Sequence, residues 1–67
     1  MSETFTYSVP DVHCDHCRAA IAEEVSAVEG VEHVDVDLEA KTVTIRGTEL
    51  GDVALRAAID EAGYAVA

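Results

Sequence analysis

Large aromatic side chains are nearly missing: the 67 residues hold no tryptophan, one phenylalanine and two tyrosines, which excludes a core built on ring packing. Alanine and valine, with 11 and 10 copies, must fill it instead. Positive charge is equally scarce. Four Lys+Arg stand against 14 Asp+Glu, a formal net charge of -10. A surface this acidic repels phosphate backbones and anionic lipid headgroups, so neither nucleic acid nor a membrane surface is an expected partner. No apolar run approaches the roughly 18 residues of a membrane-spanning helix. The start, Met1-Ser2-Glu3, carries neither the basic nor the apolar segment of a signal peptide. The expected location is therefore cytoplasmic. A glycine-rich phosphate loop is absent, and Ser2, Ser8 and Ser26 have no histidine and acid arranged around them, so the sequence reads as no enzyme.

What is present points to a small folded unit. The hydrophobic fraction of 49% is too high for a disordered acidic tail. A chain of this size buries only about 60% of its unfolded surface, which leaves room for one thin core and predicts a single domain over residues 1–67. From Thr4 to Val9 the residues alternate, with Phe5, Tyr7 and Val9 on one side, and predict a half-buried strand ended by Pro10. Cys17, Ile21, Val25 and Val28 fall on one face of a predicted helix over 18–29, stopped at Gly30. Two more alternating runs follow. Val34, Val36 and Leu38 oppose His33, Asp35 and Asp37, then Val43 and Ile45 oppose Thr42, Thr44 and Arg46, and the short Glu39-Ala40-Lys41 link allows only an antiparallel hairpin. A second helix is predicted from Asp52, as a cap, to Ala62, with Leu55, Ala58, Ile59 and Ala62 on its apolar face. Gly63 ends it, and Tyr64 to Val66 make a brief last strand. Polar outer faces on the strands fit helices covering one side only. The expected fold is α+β, ferredoxin-like βαββαβ, with a four-stranded antiparallel sheet and two helices on one face.

The chemistry gathers in His13-Cys14-Asp15-His16-Cys17. Thiols three apart, where a loop turns into a helix, can reach one ion. The helix start and the neighbouring Arg18 favour thiolate, the species that binds metal. Two soft thiolates without an obligatory third ligand suit Cu(I) better than a closed zinc site. Convergence of all four donors, His16 included, would strain so short a loop.

The chain resembles a heavy-metal-associated domain of the bacterial copper-chaperone type over nearly its whole length. Three blocks carry the resemblance: Cys14-Asp15-His16-Cys17; Val28-Glu29-Gly30-Val31 followed by Val34-Asp35-Val36-Asp37-Leu38; and Ala58-Ile59-Asp60-Glu61-Ala62-Gly63-Tyr64. It implies a carrier of Cu(I) with Cys14 and Cys17 as ligands, which delivers to the metal-binding domains of a P-type ATPase or to a copper-responsive regulator. It also implies that Tyr64 lies against the metal loop and shields the ion. Asp11 and Val12 stand where the family has Gly and a buried Met, so Val12 is the expected loop anchor. His13 occupies the position at which zinc-transporting relatives often carry an extra carboxylate ligand. It is thus a candidate third ligand, and with it the site could take Zn(II), Cd(II) or Co(II).

Two further expectations follow. A thiol-disulfide oxidoreductase is the competing class, since such enzymes also place Cys-x-x-Cys at a helix start, but Pro10 precedes the motif and no later proline exists to face a disulfide. The chain reads as free-standing from its own Met1, a monomer without metal and able to form a metal-bridged dimer.

Overall fold

The computed structural model describes residues 2–67. In chain order the elements are β1 (Glu3–Ser8), α1 (Asp15–Ser26), β2 (Val31–Asp37), β3 (Thr42–Gly47) and α2 (Asp52–Glu61). The sheet runs in the order β1-β3-β2, with both pairings antiparallel. The alternation read from the sequence sets its two faces. Phe5, Ile45 and Val34 share one cross-strand row and Tyr7, Val43 and Val36 the next, all on the covered face. Thr4, Thr6 and Ser8 on β1, like His33, Asp35 and Asp37 on β2, are exposed on the other.

The helices lie on the apolar face. α1 contributes Cys17, Ile21 and Val25, and α2 contributes Leu55, Ala58 and Ile59. Val9, Val12 and Leu50 from the connections complete the core. Each buried aliphatic side chain contributes about 1.5–3 kcal/mol, and with Tyr7 the only buried aromatic, the core is assembled from small units as the composition requires. Tyr7 also ties α2 to the sheet. Its hydroxyl donates to Asp52 Oδ1 at 2.7 Å, and the Arg56 guanidinium, paired with Asp52 at 3.0 Å, sits 5.6 Å from the Tyr7 ring centre.

Beyond a one-residue offset of β1, which covers 3–8 rather than 4–9, the structure departs from the sequence expectation in four places. The sheet has three strands among the described residues, not four. Tyr64 and Val66 are half-buried and Ala65 exposed, as in a strand, but a single backbone bond, Ala67 N–H to Ser8 O at 2.8 Å, joins this segment to β1. The Tyr64 amide is turned back onto Ile59 O at 3.2 Å, so the segment leaves α2 without forming a ladder. Secondly, α1 covers 15–26 rather than 18–29. Cys14 is extended and Asp15 is the first helical residue, where its charge suits the helix start; at the other end Val28 N–H bonds back only three residues, to Val25 O. Thirdly, Asp52 is not the cap: Gly51 holds that position, and Asp52 opens α2, which ends at Glu61 rather than Ala62. Lastly, β2 ends at Asp37 rather than Leu38, because the Asp37 carboxylate accepts the amides of Glu39 and Ala40 at 2.9 and 3.0 Å and turns the chain there.

At the end of the sheet where Glu3 pairs with Gly47, two glycines meet. Gly30 has a φ of +92°, and its carbonyl accepts the Thr48 amide at 2.9 Å. A side chain on Gly47 would strike Gly30 O, and one on Gly30 would strike Thr48 O. The opposite end, where Ser8 pairs with Thr42, carries the cysteine loop.

Candidate metal centre

The loop between β1 and α1 is organised before any side-chain chemistry is considered. Val9 to Val12 form a tight turn closed by Val12 N–H to Val9 O at 3.1 Å, with Pro10 in the second position that its fixed φ suits. Val12 is fully buried and pins the loop to the core. Its β-branched side chain therefore stands where the sequence reading placed an anchor.

Cys14 then leads into α1, and Cys17 lies in its first turn. This brings the two sulfurs to 3.2 Å, with both thiols free. Their exposures differ. Cys14 is half-buried, while Cys17 is only 4% exposed and packs in the core beside Ile21.

The Cys17 thiol is pushed down from its ordinary 9.0 to about 6. The Tyr64 hydroxyl bonding to the sulfur is the largest cause, followed by the His13 backbone amide and the Cys14 thiol, while burial works the other way. Tyr64 responds in kind, its phenol pushed up to about 12, first by the bond to Cys17 and then by burial. Arg18, expected from its sequence position to favour the thiolate, instead pairs with Asp15 at 2.9 Å. Tyr64 first, then the His13 amide and the Cys14 thiol, supply the effect assigned to that cation.

His13, Cys14 and Cys17 bring ligand atoms to within 4.8 Å of one another. His13 Nδ1 lies 4.0 Å from Cys17 Sγ but only 2.7 Å from Asp11 O. A carbonyl oxygen only accepts, so Nδ1 carries the proton in this arrangement, and ligation through it requires that bond to break. Among the described residues His16 does not join this group. It is exposed on α1, where it lines a shallow open groove with Asp15, Ala19, Ala20 and Glu23.

One participant was not singled out from the sequence. Lys41, in the turn between β2 and β3, reaches the loop and donates from Nζ to Val12 O at 3.1 Å. A contact spanning 29 residues leaves no local pattern. The arrangement as a whole offers a pair of convergent sulfurs, one already inclined to thiolate, so a soft cation can enter with little proton displacement at Cys17.

Comparison with known proteins agrees with this chemistry. The sequence profile of the family described as "Heavy-metal-associated domain" matches residues 6–65. The heavy metal-associated isoprenylated plant protein 31 of Arabidopsis thaliana is 34% identical over 65 residues, which cover 97% of this chain and 46% of the plant protein. The chain thus spans less than half of that relative. The mercuric transport protein periplasmic component of Pseudomonas fluorescens is 34% identical over 94% of this chain and 71% of its own length. Among solved structures, the CopZ metallochaperone superposes with a TM-score of 0.91 at 25% identity, covering 97% of this chain and all of that one. The copper chaperone Atx1 from Synechocystis PCC6803, in its Cu2 form, gives 0.79 at 35% identity, covering 94% and 98%.

Proposed function

The chain belongs to the heavy-metal-associated domain family, of the copper-chaperone type, and from that premise we propose that it carries Cu(I) between Cys14 and Cys17 and passes it to a partner by thiolate exchange. The observation that carries this reading is the pair of free sulfurs 3.2 Å apart, one half-buried and one in the core. The accessible Cys14 side is where an incoming thiolate approaches, while Cys17 holds the ion from within. Exchange through a three-sulfur intermediate lets a new bond form before an old one breaks, so tight retention and rapid transfer coexist. Tyr64, beside Cys17, shields the ion from water on the inner side. The residues act as a single unit over 1–67, as a carrier and not as an enzyme.

The partner is a second cysteine-pair site, in the metal-binding domains of a metal-transporting P-type ATPase or in a copper-responsive regulator. With a net charge of -10, docking favours a basic face on that partner, and transfer slows as salt is added. Among the described residues no helix is long and apolar enough to cross a membrane. We assign the carrier to the cytoplasm, as a monomer without metal that can pair through a shared ion. Titration of the reduced protein with Cu(I) against a competing chelator tests the central claim. Unchanged affinity after Cys14→Ser with Cys17→Ser would overturn it.

The gathering of His13 with both cysteines within 4.8 Å favours a second reading, in which His13 becomes a third ligand and the site takes Zn(II), Cd(II) or Co(II). Its cost is the His13 bond to Asp11 O. If His13→Ala leaves Zn(II) affinity unchanged, this reading fails.

A further inference from the structure

The metal loop is gripped from the neighbouring β2–β3 turn by a single residue. Lys41 O accepts the Val9 amide at 2.8 Å, and Lys41 Nζ donates to Val12 O at 3.1 Å, so one residue holds the first and last members of the Val9–Val12 turn. The neighbouring carbonyls are already engaged: Asp11 O with His13 Nδ1, and Cys14 O with the Arg18 amide. The Val12 carbonyl belongs to the peptide that leads through His13 into Cys14. Its orientation is therefore fixed by Lys41.

Three features set this contact apart from an ordinary surface lysine. Lys41 is the only lysine in the chain. In a protein with 14 carboxylates its ammonium meets a neutral carbonyl, whereas Arg18 and Arg56 pair with Asp15 and Asp52. Its backbone φ is 58°, in the left-handed region where a side chain is disfavoured and glycine is at ease. Local conformation alone would place glycine there. A long cationic side chain is held at that site against the backbone preference, with its head on the metal loop.

We propose that Lys41 is a positioning residue for metal retention: by fixing the Val12–His13 peptide it keeps Cys14, the more exposed sulfur, in place opposite Cys17. The proposal rests on the reading that the cysteine pair carries Cu(I). Cys17 is held by the helix and the core, so the freedom of the pair resides on the Cys14 side, and Lys41 limits it. Loss of the tether lets Cys14 swing outward and shortens the lifetime of the bound ion.

Three substitutions separate positioning from general support. Lys41→Met keeps the stem and removes the donor, Lys41→Gly also relaxes the backbone, and Lys41→Arg keeps a cationic donor. The readouts are the rate at which a chelator strips Cu(I) from each loaded protein and the melting temperature of each metal-free protein. Removing a group that orients a metal ligand commonly changes affinity by about 10- to 100-fold, and we expect stripping about tenfold faster in Lys41→Met and Lys41→Gly. Lys41→Arg should return to within about twofold of wild type, and Lys41→Gly should melt no lower than wild type, because glycine suits the left-handed φ. Wild-type stripping rates in both Lys41→Met and Lys41→Gly would overturn the proposal, as would faster stripping matched by a fall in melting temperature in all three variants. Failure of the carrier reading looks different, since wild type itself would then retain no Cu(I) against the chelator.

Discussion

Each helix opens on an aspartate, and each first turn receives a tyrosine hydroxyl, but the two starts put that arrangement to different use. At α2 the Tyr7 hydroxyl donates to Asp52, which is also held by Arg56. At α1 the Tyr64 hydroxyl acts on the Cys17 thiol, while the local cation, Arg18, is occupied by Asp15. Both phenols are pushed up to about 12; burial leads at Tyr7, and the bond to Cys17 leads at Tyr64. Both acceptors are pushed down, by their tyrosine first. What differs is the anion. Asp52 is a carboxylate already matched by a guanidinium, and the result is a clamp between helix and sheet. Cys17 is a thiol inclined to thiolate by its neighbours, with no cation among the causes, and the result is a group ready for a soft metal. The same donor therefore gives support in one place and reactivity in the other, according to whether the acceptor's charge is already balanced.

The largest effect is expected at the sulfurs. Cys14→Ser with Cys17→Ser should lower Cu(I) affinity by far more than about 100-fold, beyond the range typical of supporting groups, and leave the fold in place by circular dichroism. Tyr7→Phe should do the reverse. It removes a hydrogen bond to a charged acceptor and should cost about 1–2 kcal/mol in denaturant unfolding, with Cu(I) affinity unchanged; a large loss of metal binding in this variant would show that the two helix starts are not independent.

Tyr64→Phe sharpens the contrast with a smaller effect. The Cys17 midpoint, followed by thiolate ultraviolet absorbance in the metal-free protein, should rise from about 6 toward 9.0. Folded Cys17 loses its proton near 6 and the unfolded chain only near 9.0, so the metal-free protein gains stability as pH rises across that window and loses it as pH falls through 6. Tyr64→Phe should narrow the window from its lower side. Smallest of all is Arg18→Ala. The Asp15–Arg18 pair is exposed and worth a few tenths of a kcal/mol at most, and the Cys17 titration should not move. A clear upward shift would restore Arg18 to the role that its sequence position suggested.

What could be read from the sequence was whatever repeats locally. Phe5, Tyr7 and Val9 announced a strand through their alternation, and Leu55, Ala58 and Ile59 announced a helix through their spacing. The cysteine pair was legible because its members stand three apart at a helix start. Contacts between distant residues were not legible. Tyr7 meets Asp52 across 45 residues, and Lys41 meets Val12 across 29, with nothing in either neighbourhood to mark them. The missing strand teaches the complementary point: Tyr64 and Val66 have the right alternation, but the Tyr64 amide is engaged by Ile59 O, and a pattern of side chains cannot report where a backbone amide is directed.

The facing glycines at the far end of the sheet give the molecule a mechanical asymmetry. With Gly30 and Gly47 in backbone contact, the entry to β2 and the end of β3 are pinned there as by the rivet of a pair of tweezers, whose open tips are the opposite end that carries the cysteine loop, and any side chain at either glycine acts as a wedge.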